Sequence, residues 1–153
     1  MSRIIEVADT VIKQPELLPK AVEFLNNLGN YAVVECKLEQ DADGNVKGGF
    51  FHLATGESRY GKGHVFLRYH GKRGDQAPSY NSDGTLNGHF TLMADEDWEE
   101  NKRLGNLISD HYNAQVVKKL FEEQGHQVEF TVGEDGAIAV DAYEQAGVAP
   151  CCW

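Results

Sequence analysis

The sequence predicts an α+β fold: a mainly antiparallel sheet with two helices packed on one face, in the order β-α-β-β-β-β-α-β-β. Three observations carry this. Two segments, 14–30 and 103–124, place apolar residues at three- and four-residue spacings, the period of a helix. Short segments rich in Val, Ile, Phe and Tyr occupy much of the remainder and read as strands. Two of the four strand pairs with no helix between them are joined by short turns bearing Gly and Asp, DADGN and GEDG, which favours hairpins over helical crossovers.

RIIEV (3–7) partly alternates and opens the sheet. The first helix, QPELLPKAVEFLNNLGN (14–30), carries Leu17, Leu18, Ala21, Val22, Leu25 and Leu28 on one stripe. Pro15 suits its first turn and Gly29 its stop, while Pro19 moves the start of the regular helix toward itself. YAVVECKLEQ (31–40) and VKGGFFHLAT (46–55) are strands joined by the turn DADGN (41–45). That turn begins like a calcium loop, but Val46 stands where the loop needs glycine and His52 where it needs a bidentate carboxylate. A hairpin turn is the better account. GHVFLRYH (63–70) is the next strand, GKRGDQAPSYNSDGTLNG (71–88) a long polar connection of a length that is often functional, and HFTLMA (89–94) a short strand.

The second helix is predicted to be the longest. Asp95 or Asp97 caps it, its stripe runs Leu104, Leu107, Ile108, His111, Ala114, Val117, Phe121, and Gly125 ends it. HQVEFTV (126–132), the turn GEDG (133–136) and AIAVDAY (137–143) form a closing hairpin. One domain over 1–145 and a loose tail over 146–153 follow from this layout and from a length of 153 residues.

Charge is distributed unevenly. SRYGKGHVFLRYHGKRG (58–74) contains no acidic residue and holds Arg59, Lys62, Arg68, Lys72 and Arg73, five of the chain's 14 Lys and Arg. The whole chain carries −10, so without this +5 stretch the rest stands at −15. Bulk attraction to a long nucleic acid or an anionic membrane is therefore not expected. The absence of a long apolar run argues against a membrane span, and the charged N-terminus does not read as a signal peptide. Cys36, Cys151 and Cys152 are odd in number and poorly spaced for a disulfide framework, which points to a reducing cytoplasm.

LMADEDW, LISDHYNAQVVKKLFEEQGHQVE and GEDGAIAV together resemble the domain of unknown function 1257, the hypothetical chloroplast reading frame 35 family of plastids and cyanobacteria. The features that carry the likeness are Ala94 and Asp95 with Trp98, Tyr112, Gln124 with Gly125, and Asp135 to Ile138. The resemblance covers the last third well and the opening strand and helix loosely; the basic segment and the 71–88 connection depart from it. It implies a small sheet with helices. The family has no established activity, so no site residue is carried over.

Strand alternation puts His64, Phe66, Arg68 and His70 on one face of 63–70, and Val65, Leu67 and Tyr69 on the other. The apolar set should face the core. The first set, flanked by Arg59, Lys62, Lys72 and Arg73, offers a guanidinium fork and imidazole donors suited to phosphate or carboxylate. Tyr60, Phe66, Tyr69 and Tyr80 stand near it in sequence and could stack on a base. A plain solvated strand face is the competing account.

Other chemistry is weaker. His89 opens a His-x-Thr of the kind found in two-histidine phosphoesterases, but neither His52 nor His64 completes a second copy. His52, His64, His70 and His89 have no compact metal spacing, and His111 reads as a hydrogen-bonded core histidine. Cys36 sits within a strand, and Cys151 and Cys152 in the tail. No P-loop, nucleophile elbow or dinucleotide fingerprint is present. The expectation is a small non-catalytic binding protein, without cofactor or metal, that holds a nucleotide-like anionic ligand or a protein partner. Its expected binding residues are Arg59, Lys62, His64, Arg68, His70, Lys72 and Arg73. Two alternatives stay open: a His-dependent phosphoesterase, and an acidic inhibitor that mimics nucleic acid, of the kind phages encode, docking a basic protein.

Overall fold

A computed structural model describes residues 4–29, 31–54, 65–72, 77–95, 99–133 and 138–144. The elements are β1 (Ile4–Glu6), α1 (Leu18–Leu28), β2 (Val34–Gln40), β3 (Val46–Leu53), β4 (Val65–His70), β5 (Ser79–Tyr80), β6 (Leu86–Asn87), β7 (His89–Asp95), α2 (Glu99–Glu123), β8 (His126–Val132) and β9 (Ile138–Glu144). The fold is α+β, and the predicted order holds, with the two short strands β5 and β6 added inside the 71–88 connection. Five strands form one antiparallel sheet in the order β1-β7-β4-β3-β2. Both helices pack on one face of it.

Local chemistry accounts for the element ends. A single 3-10 turn over Pro15–Leu17 precedes α1, Pro19 occupies its first turn, and Gly29 closes it at φ 70°. The Asn26 side chain then acts as an extra rung of the sheet. Its amide donates to the Val34 carbonyl at 2.9 Å and its oxygen accepts from the Val34 N–H at 2.8 Å. DADGN is a turn: the Asp41 carboxylate accepts from the backbone N–H groups of Asp43 and Asn45, at 2.9 and 3.0 Å.

The long connection is more ordered than its composition suggested. NSDGT (81–85) repeats the DADGN turn, with Gly84 at φ 88° against Gly44 at 84°, and with matching backbone bonds, Asn81 to Thr85 and Asp41 to Asn45. It closes the two-stranded ribbon β5–β6. The Tyr80 hydroxyl ties that ribbon to β3 by donating to the Val46 carbonyl at 2.6 Å, and the Tyr69 hydroxyl ties it to β4 by donating to the Asn87 carbonyl.

The core joins Ala21, Val22 and Leu25 of α1 to Phe51, Val65, Phe90 and Leu92 of the sheet and to Leu104 and Ile108 of α2. Burial on α2 extends well beyond the predicted stripe, taking in Asn101, Gly105, Ser109, Tyr112 and Gln115. One stripe meets α1. A second meets the strap 7–14 after β1. Val7 abuts Gly105, the Thr10 and Ser109 hydroxyls are hydrogen-bonded, and the Tyr112 hydroxyl accepts from the Lys13 and Gln14 N–H groups at 3.2 and 3.0 Å. The hairpin β8–β9 forms its own two-stranded sheet and packs on a further side of α2. No described helix is long and apolar enough to cross a membrane.

Candidate functional site

β4 alternates as its sequence dictates. Val65 and Leu67 are buried and Tyr69 packs on the core, while Phe66 and His70 are half-buried and Arg68 is exposed on the opposite face. The pairing of β4 with β7 sets Arg68 opposite Thr91 and His70 opposite His89. Four polar side chains thus share one patch on the side of the sheet away from the helices.

The imidazoles of His70 and His89 are stacked, 4.9 Å between centres and 12° from parallel. His70 Nε2 lies 2.8 Å from Thr91 Oγ1, whose hydroxyl is directed at Met93 Sδ, 3.6 Å away. With the threonine hydrogen on sulfur, Nε2 of His70 is the donor in this contact. Gly88, at φ 90°, shapes the corner before His89, and its α-carbon rests against the His70 carbonyl so closely that a Cβ there would collide with it. Burial holds the His89 imidazole below its usual pKa, reinforced by His70 and Lys13 and opposed by Glu6. The neutral form of His89 is thereby favoured. Arg68 forms no ion pair with any described residue.

Of the expected binding residues, the structure brings Arg68 and His70 onto one face, and exposed Lys72 follows just past the end of β4. Arg59, Lys62, His64 and Arg73 lie outside the described residues. So do Tyr60, Cys151 and Cys152.

His52 shares the sheet face but sits at its other end. Register pairs Phe50 with Phe66, which puts His52 about 20 Å along the strands from His70. There it pairs with Glu35 at 2.7 Å and stacks on Phe50 at 5.7 Å. Among the described residues no three His, Cys, Asp or Glu side chains converge on a metal position.

Three readings are corrected. Tyr69 and Tyr80 are not ligand-stacking rings: both hydroxyls fasten the β5–β6 ribbon, and Tyr69 points to the core side. His111 is buried to 1% exposure, but neither ring nitrogen has a hydrogen-bond partner; it packs against Phe24 at 5.7 Å, and burial pushes its pKa down. The 71–88 connection is in part a hairpin. The Cys36 thiol, half-buried on β2, is pushed up to about 11 by burial and so stays protonated at neutral pH.

Thr91 and the partnership of His70 with His89 escaped the sequence reading. The signal was the two-residue spacing of His89 and Thr91, which places both on one face; the missing datum was the register of β4 on β7. The segments behind the family resemblance have structural duties here: Tyr112 holds the strap, and Gly125, at φ 84°, ends α2. No family model, no curated protein and no solved structure matches the chain.

Proposed function

We propose that the chain is a non-catalytic binding protein that holds a small, nucleotide-like anionic ligand against the outer sheet face at Arg68, His70 and His89. Lys72 flanks the patch on β4's C-terminal side. Arg59, Lys62, His64 and Arg73 belong to the same reading. The observation that carries it is the exposed Arg68 guanidinium, left without an acidic partner among the described residues of a chain with 24 Asp and Glu. A fork so placed suits a phosphate or carboxylate. The −10 charge favours a small anion over a long polyanion.

The stacked His70 and His89 favour one second reading, a His-dependent phosphoesterase, in which a neutral imidazole would move a proton. A thermal-shift and calorimetry screen against nucleotides, cyclic nucleotides and phosphorylated metabolites separates the two. Stabilisation of the wild type, lost in Arg68→Ala with the ligand recovered intact, supports binding. Recovery of a cleaved product supports the phosphoesterase. Stabilisation retained undiminished in Arg68→Ala would remove the sheet face as the site.

A further inference from the structure

Three lysines without an ion pair to a described residue, Lys20, Lys118 and Lys119, lie together with Glu23 and Glu122 in the helical layer, on the other side of the sheet from Arg68. Two contiguous grooves run between α1 and α2, of about 290 and 200 Å³. Lys20, Gln115 and Lys118 line both and so form their common centre. Leu17, Lys119 and Glu122 complete one end; Glu23, Phe24 and Asn27 complete the other.

The centre is built rather than incidental. Gln115 is only 8% exposed, yet its side-chain amide forms no hydrogen bond with a described residue. Its amide is not among the fully buried side-chain groups left without a partner, so the little of Gln115 that is exposed opens onto the groove, where its donor and acceptor are free to meet a ligand. The lysines around it are held but not neutralised. Lys118 lies over the Phe130 ring at 5.5 Å, and Lys119 donates to Gln14 Oε1 at 3.0 Å. Neither these two nor Lys20 forms an ion pair with a described residue, although Glu23 and Glu122 stand one helical turn away.

We propose that this groove is a separate binding site for a small molecule carrying a single phosphate or carboxylate group, seated on Gln115 between Lys20 and Lys118. The amide supplies a neutral donor and the lysines supply charge. The carboxylates at the two ends disfavour a ligand with further negative groups, and Leu17 and Phe24 offer apolar surface to the rest of it.

The test is a titration of the labelled protein with inorganic phosphate in one arm and acetate in the other, followed by the NMR signals of the Gln115 side-chain amide. Potassium chloride at matched ionic strength is the control. Saturable shifts at Gln115 are expected, with a midpoint raised about tenfold or more in Lys20→Ala/Lys118→Ala, by the loss of charged hydrogen bonds. Gln115→Leu, read at the Lys118 and Lys119 backbone signals, should weaken binding as well. Saturation by phosphate only, or by acetate only, selects the head group. Arg68→Ala should leave this titration unchanged, so failure of the sheet-face reading does not touch it. Shifts that chloride reproduces, that never saturate, or that persist unaltered in the lysine double variant would overturn the site. So would their loss in Arg68→Ala.

Discussion

His70 and His89 lie ring on ring, 4.9 Å apart, because the Gly88 corner delivers β7 to β4 in that register. An alanine at 88 would have to adopt a left-handed backbone and would strike the His70 carbonyl. Gly88→Ala should therefore cost about 1–3 kcal/mol of stability, from backbone strain and collision together. Urea unfolding reads the stability, and the imidazole C–H signals read the stack. Unchanged stability with the stack intact would show that the corner does not set it.

The buried His111 makes stability depend on pH. Its folded pKa is depressed by burial below the ordinary 6.5, so the unfolded chain takes up the proton first. Stability is fully present above about pH 6.5 and is lost as pH falls below it. His89, depressed for the same leading reason, adds a contribution of the same sign. The melting temperature should fall between about pH 7.5 and pH 5.5, and His111→Leu should flatten part of that fall. The same variant should gain about 1 kcal/mol at neutral pH, since it removes two buried nitrogens without partners. Parallel pH profiles for wild type and variant would contradict this.

Gly105 lets the strap reach α2. A Cβ there would overlap Val7 Cγ2 and stand 3.0 Å from Val7 Cβ. Alanine normally favours a helix over glycine by about 1 kcal/mol, yet Gly105→Ala should destabilise by about 1–3 kcal/mol through overpacking. Val7→Ala should recover part of that loss, visible as coupling in a double-mutant cycle. Additive effects would mean that the two residues do not press on one another.

Tyr112 fixes the other end of the same strap. Tyr112→Phe removes the acceptor for the Lys13 and Gln14 N–H groups and should cost about 1–3 kcal/mol. Hydrogen exchange at those two amides should quicken more than at Leu25 in the core. Equal protection in the variant would place their support elsewhere.

Much of this architecture could be read before the structure. VFLRYH shows its two faces because a half-buried strand must alternate, and Gly29 and Gly125 mark helix ends because the chain turns left-handed there. The extra ribbon was equally legible in NSDGT, a second Asp-Gly turn of the DADGN kind, but the surrounding polarity masked it. α2 misled for a physical reason. Three different surfaces pack against it, so Asn101, Ser109, Tyr112 and Gln115 are buried as well as Leu104, Ile108 and His111, and no single stripe describes the helix. Its contacts with Val7, Thr10 and Gln14 join residues about a hundred positions apart, which no local period encodes. The sheet-face patch was half legible: Arg68 and His70 follow from alternation, whereas His89 and Thr91 depend on strand register.

The most direct test of the sheet-face proposal is to titrate ATP into wild-type, Arg68→Ala and Arg68→Lys protein while following the imidazole signals of His70 and His89. Saturable shifts at both rings are predicted in the wild type. Arg68→Ala should weaken the interaction by about 1.5–3 kcal/mol, the worth of a charged hydrogen bond, and Arg68→Lys should recover it only in part because the planar fork is lost. His70 and His89 signals that do not move with ATP, or that move equally in Arg68→Ala, would contradict the account.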